Sequence, residues 1–267
     1  MASVEVSGRE LHYVRRGEGP PLLLIQGMSG THLAWGRPFC TELEASFDCI
    51  AYDNRGIGLS GPAEEPFTIA DLASDAFGLL DALGIEQAHV LGISMGGMVA
   101  QELALADHER LLTLTLGATY CGGADGRLME PEDLQRLAAA ASSGDRERAF
   151  RVSWEINLSP RFRGEESRYA EFREMADALP SPLPVIVRQV EAIAGHDTSA
   201  RLASIPTPTL VIHGTEDRVL NGSNGRAIAA LMSARLELLE GVGHMFWWER
   251  PERSAALVRD HALSLRV

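Results

Sequence analysis

The sequence of 267 residues predicts an α/β protein: a mostly parallel, doubly wound sheet with an all-helical lid inserted after the sixth strand. Three observations carry that expectation. Short apolar runs bounded by Gly and Pro recur along the chain, as strands buried on both faces do. They alternate with helical patterns at the spacing of βαβ units. The alternation stops after Cys121 and resumes beyond Ser204, with only helical patterns between.

The elements follow in order. Residues 3–7 and 10–15 are strand-like pieces separated by a turn, and 22–25 (Leu-Leu-Leu-Ile) is a fully apolar strand. A fourth strand over 48–52 runs into the turn cluster Asp53-Asn54-Arg55-Gly56. A helix over 70–83 puts Leu72, Ala76, Leu79, Leu80 and Leu83 on one face, and Gly84 stops it. Strand 88–93, helix 95–106 and strand 111–116 complete the first half. The lid carries helices over 132–141, 145–156, 166–179 and 183–194, punctuated by Gly, Pro and Ser. After Pro206 and Pro208 come strand 209–213, helix 225–232, strand 235–239 and helix 251–263. The expected division is a core of residues 1–121 and 205–267 and a cap of 122–204. Ligands of such sheets bind beyond the carboxyl ends of the strands, so the cap would cover that crevice.

Composition narrows the chemistry. All 24 basic side chains are Arg and none is Lys, which removes Schiff-base, pyridoxal-phosphate and P-loop lysine chemistry. A net charge of −13 repels phosphate backbones and anionic membrane surfaces. Cys40, Cys49 and Cys121 are odd in number, far apart and without a C-x-x-C pair, so no disulfide framework or thiolate zinc site is written here. No run approaches the ~18 apolar residues of a membrane helix, and 22–25 is too short for a secretory core. The expectation is a cytoplasmic protein with a small-molecule substrate, no nucleic-acid or membrane partner, no cofactor and no metal.

The sharpest signal is Gly92-Ile93-Ser94-Met95-Gly96-Gly97. It fits G-x-S-x-G in the context that motif requires, after a buried strand and before a helix. Ser94 on a sharp turn would lift its hydroxyl above the sheet, and side chains at 92 and 96 would clash with that turn. The helix start aims unsatisfied N–H groups at the same point, where an oxyanion would form. A serine hydroxyl needs a base, and the base an orienting acid. His244, in Gly241-Val242-Gly243-His244-Met245, follows a strand and a glycine-rich loop. Asp217, in His213-Gly214-Thr215-Glu216-Asp217, follows strand 209–213, with Glu216 as its rival. Of two oxyanion donors, Met95 N–H is one. The second is expected from Met28 N–H in the loop Gln26-Gly27-Met28-Ser29-Gly30. Trp154 is expected to line the substrate site, and Ile156, Phe162 and Met175 are further lid candidates.

These residues resemble the α/β-hydrolase superfamily, and the likeness covers the whole chain. It rests on GISMGG, QGMSG, the turn from Asp53 to Ser60, LVIHGTEDRV and GVGHMFWWERPE. The order nucleophile, acid, histidine is met by Ser94, Asp217 and His244. Two departures stand out: members often have His-Gly where this chain has Gln26-Gly27, and a His is frequent where it has Ile57. A haloalkane dehalogenase would carry Asp at the nucleophile position, which Ser94 argues against. The resemblance implies attack of Ser94 on an ester-like carbonyl, proton relay through His244 and hydrolysis of an acyl-enzyme. The leading expectation is a carboxylic ester or lactone hydrolase acting on a small to medium, mainly apolar substrate. The same residues would also serve C–C bond hydrolysis, acyl transfer or cofactor-free perhydrolysis. A ligand-binding or receptor protein on this fold is the alternative of a different class.

Overall fold

The computed structural model describes residues 2–124 and 126–264. Eight strands form one sheet: β1 (Ala2–Val6), β2 (Arg9–Arg16), β3 (Pro21–Ile25), β4 (Asp48–Tyr52), β5 (Ala88–Ile93), β6 (Leu111–Gly117), β7 (Thr209–Gly214) and β8 (Arg235–Leu239). Their order is β1-β2-β4-β3-β5-β6-β7-β8. β1–β2 and β2–β4 pair antiparallel, and the remaining neighbours pair parallel. The strand order reverses between β3 and β5, so a crevice opens beyond their carboxyl ends.

Period-two alternation divides the apolar residues between two layers. Leu23 and Ile25 of β3 face a core with Val90, Leu114 and Val211, under α2 (Ile69–Ala82), α3 (Met95–Ala106) and α9 (Ser223–Met232). Leu22 and Leu24 face the opposite core with Leu91, Ile93, Leu210 and Ile212, under α1 (Arg37–Glu44) and α11 (Pro251–Leu263). The α2 start carries a capping box, Thr68 with Asp71, which satisfies two otherwise unpaired donors.

The segment expected as a cap lies between β6 and β7. It consists of α4 (Pro131–Ala141), α5 (Arg146–Asn157), α6 (Pro160–Arg163), α7 (Glu166–Ala178) and α8 (Leu183–Ala194). Three helices are absent from the sequence expectation: α1, α6 and the four-residue α10 (Phe246–Glu249). All three run eight residues or fewer, too short for a helical period to declare itself, although Pro38 and Pro160 mark the first turns of α1 and α6. Among the described residues no helix is long and apolar enough to cross a membrane.

Candidate active site

Ser94 closes the turn between β5 and α3 with φ 53° and ψ −124°. That is a sparsely populated region for a residue with a side chain, and holding it costs on the order of 1–3 kcal/mol. The surroundings enforce it. A Cβ at Gly96 would strike the Ile25 carbonyl, and one at Gly92 would strike the Gly96 carbonyl. The backbone is pinned on both sides, since Ser94 N–H donates to Gly117 O at 2.9 Å and Thr119 Oγ1–H donates to Ser94 O at 2.6 Å.

The loop after β3 packs directly against this turn. A Cβ on Gly27 would lie 2.9 Å from Ser94 Cβ and 3.4 Å from its Oγ, so only glycine lets the loop approach so closely. Among the described residues neither Met28 N–H nor Met95 N–H is used by a protein acceptor. Both N–H groups are therefore free of protein acceptors, that of Met95 because the first N–H groups of a helix have no partner within it. Met28 is 38% exposed and Met95 fully buried.

The loop has its own anchors. Gln26 Oε1 accepts Gly27 N–H at 3.1 Å. His32, two residues past Gly30, donates its backbone N–H (2.7 Å) to Asp53 Oδ1, and its ring Nδ1 lies 3.0 Å from the same oxygen. Asp53 Oδ2 accepts Leu59 N–H at 2.9 Å. With His12 these residues bring nitrogen and carboxylate atoms within 4.8 Å of one another. No local motif marks that grouping in the sequence, because the three residues are separated by about twenty positions each. Its visible use is structural: both Asp53 oxygens already hold the ends of two turns.

His244 follows β8 on a loop bonded to the one after β7, with Glu216 N–H donating to Val242 O at 2.9 Å. The strand register Ile93–Gly117–Ile212 sets the end of β7 two strands from Ser94. His244 Nδ1 lies 2.8 Å from Asp217 Oδ2, and both residues are buried. Asp217 Oδ1 accepts the N–H groups of Val219 (2.8 Å) and Leu220 (2.9 Å). A fourth contact was not foreseen: His213 Nε2 lies 3.1 Å from Asp217 Oδ2 and 2.7 Å from Leu220 O. Both neighbours are acceptors, so that nitrogen carries a proton. Burial alone would raise the Asp217 carboxyl. The charge of His244 and the hydrogen bonds from His213 and His244 outweigh it and hold the group below the usual carboxylate range. Glu216 is exposed and stands apart from this pairing.

Trp154 packs within the helices between β6 and β7. It is 1% exposed, enclosed by Phe162, Tyr169 and Phe172, with its indole N–H 3.3 Å from Arg163 O. A large ring on a short amphipathic helix is here consumed in joining cap helices. Ile156 is likewise buried. Met175 lines a cleft of about 330 Å³ between α7 and the Trp35, Trp247 and Trp248 cluster, whose lining does not include Ser94.

Comparison with known proteins identifies the family. The sequence profile of the "Alpha/beta hydrolase family" matches residues 22–257. The chain is 31% identical over 239 residues to an Azorhizobium caulinodans protein that carries a carbamate-hydrolase name, RutD, covering 89% of each. It is 28% identical over 240 residues to 3-oxoadipate enol-lactonase 1 of Acinetobacter baylyi, covering 88% of this chain and 86% of the other. The crystal structure of the enol-lactonase from Burkholderia xenovorans LB400 superposes with a TM-score of 0.85 at 27% identity, over 97% of this chain and 99% of that one.

Proposed function

The chain belongs to the alpha/beta hydrolase family, and we propose that it is a serine hydrolase opening a carboxylic ester or lactone through an acyl-enzyme on Ser94. The observation that carries this reading is the buried His244–Asp217 pair at 2.8 Å, at the same sheet edge as a serine held at φ 53°.

In this reading Ser94 Oγ attacks the carbonyl carbon while His244 Nε2 takes its proton. Nδ1 is engaged by Asp217, which leaves Nε2 as the basic nitrogen. Asp217 is held by two backbone N–H groups, so it fixes the tautomer of the ring and stabilises the imidazolium that forms. The developing oxyanion is received by the Met28 and Met95 N–H groups. Each such donor is worth roughly 10²–10³ in rate. His244 then protonates the leaving alkoxide, which in a lactone stays tethered to the acyl group. Water, deprotonated by the same nitrogen, releases the acid and restores Ser94 Oγ–H.

The test is a panel of esters, lactones and carbamates assayed with wild type and Ser94→Ala, alongside labelling by a fluorophosphonate. Turnover and labelling are expected in wild type only, with the acid product identified by mass. Labelling of Ser94→Ala at the wild-type rate refutes the assignment.

A further inference from the structure

We propose that Glu249 is a positioning residue: its carboxylate ties the loop carrying His244 to the cap, so that the seated cap sets the geometry of the base. The inference rests on the reading of His244 given above. Glu249 ends α10, five residues after His244. Its Oε1 accepts Gly243 N–H at 3.0 Å and Ser159 N–H at 2.7 Å. Its Oε2 accepts Ser159 Oγ–H at 2.6 Å. Ser159 lies in the cap, between α5 and α6, and is 0% exposed.

The other side of His244 is tied to the same cap turn, where Met245 N–H donates to Asn157 O at 3.1 Å. The two backbones touch without intervening side chains. A Cβ on Gly243 would lie 2.7 Å from Ser159 N and 2.8 Å from Leu158 C. Of the two neighbours of the base, Met245 is thus bonded directly to residues 157–159 and Gly243 is bonded to them through Glu249, which lies 90 positions from Ser159. A carboxylate so enclosed loses hydration, and burial raises its proton affinity despite the three hydrogen bonds it accepts. A carboxylate in that position is explained by the three donors it gathers, which belong to the base loop and to the cap.

The opposite half of the site shows the same arrangement. Gln189 of α8 accepts Ser29 N–H at 2.9 Å, and Ser181 Oγ–H donates to Ser29 O at 2.8 Å. Ser29 adjoins Met28, the candidate oxyanion donor. The cap is therefore bonded to both loops that bear catalytic groups, and displacing it would misplace the base and the donor together.

The experiment compares wild type, Glu249→Ala, Glu249→Gln, Ser159→Ala and the double variant Ser159→Ala/Glu249→Ala. The readouts are the fluorophosphonate labelling rate of Ser94, kcat and KM on p-nitrophenyl acetate, and circular dichroism to establish folding. Glu249→Ala is expected to lose roughly 10–100-fold in kcat and labelling rate with KM little changed, the scale of a misplaced catalytic group. Glu249→Gln keeps an acceptor for both N–H groups and, with the Ser159 hydroxyl turned to accept, is expected to recover most of that loss. The double variant is expected to be no slower than Glu249→Ala, since both changes cut one link. Folded Glu249→Ala with wild-type labelling, losses that multiply in the double variant, or an effect on KM alone would each overturn the proposal. A wild type unlabelled at Ser94 would instead overturn the reading on which it rests.

Discussion

Asp217→Asn is a substitution of nearly unchanged volume whose consequence follows from four contacts. The carboxylate accepts the N–H groups of Val219 and Leu220 on Oδ1 and faces His244 Nδ1 and His213 Nε2 on Oδ2. An amide has only one acceptor oxygen. The two backbone donors cannot rotate away, so that oxygen must stay with them and the NH2 group must face the histidines. His244 then presents an unprotonated Nδ1 to it and carries its proton on Nε2, where it can no longer accept one from Ser94. The wrong tautomer lowers the rate by about 10⁴, equivalent to about 5 kcal/mol of transition-state stabilisation. The NH2 group also opposes His213 Nε2–H, held in place by Leu220 O at 2.7 Å. A hydrogen bond lost at that buried site costs about 1–3 kcal/mol of stability, which lowers Tm by several degrees for a chain of this size. The assay is kcat/KM on p-nitrophenyl acetate together with a thermal melt. Glu216→Gln serves as control, because the exposed Glu216 should cost no more than about 0.5 kcal/mol. Asp217→Asn retaining a tenth of wild-type activity would refute the reasoning, and a large loss in Glu216→Gln would transfer the role to that residue.

Two further predictions concern the scaffold. Gly96→Ala places a methyl group against the Ile25 carbonyl, where backbone rather than side chain must yield; it is expected to cost at least about 1–3 kcal/mol, read as a lowered Tm, and an unchanged melt would show that the elbow can relax. His196 is buried in the cap-to-core seam near Gln101 Oε1, at 3.4 Å, and desolvation is the main cause that lowers its pKa from 6.5 to about 4. The unfolded chain therefore binds a proton below pH 6.5 that the folded chain refuses until about 4, so stability falls as the pH drops through that interval. Between pH 8 and pH 5 the loss is about 2 kcal/mol. Urea unfolding should show wild type losing that much more than His196→Gln over the same range, and parallel losses would count against a buried neutral histidine.

The sheet was legible because each strand is short, apolar on both faces and punctuated by Gly or Pro, so burial and boundary are written in the same residues. The turn at Ser94 was legible for a different reason: the glycines at 92 and 96 are demanded by steric contact with the Gly96 and Ile25 carbonyls, and a steric demand leaves a mark at fixed spacing. The packing of Trp154 among Phe162, Tyr169 and Phe172 was not legible, because a large aromatic on such a helix has the same sequence signature whether it faces a ligand or its neighbours. The short helices α6 and α10 were missed for want of length. His213 as a second partner of Asp217 was hidden by its place inside β7, where period two suggests only a buried strand residue.

The candidate site draws on four distant stretches of chain, and parallel topology explains why so little information is needed to set them on one side of the sheet. Ser94, Asp217 and His244 each lie a few residues beyond the carboxyl end of a strand, β5, β7 and β8, and the Met28 loop lies beyond β3. In a parallel sheet all such ends share one edge, so position after a strand already places a residue beside the others. What that rule leaves open is the last few ångströms, and those are settled by contacts that carry no local pattern. Gln189 on Ser29 and Glu249 on Ser159 span 160 and 90 positions, and each uses a polar side chain that would pass for a surface residue in its own helix. Accuracy at the site is therefore supplied by the cap, while its location is supplied by the sheet. Hydrolysis by this chain should accordingly tolerate conservative changes within the strands far better than the loss of either cap anchor, a contrast that Leu→Ile replacements in β3 and Gln189→Met would measure side by side through kcat at matched folding.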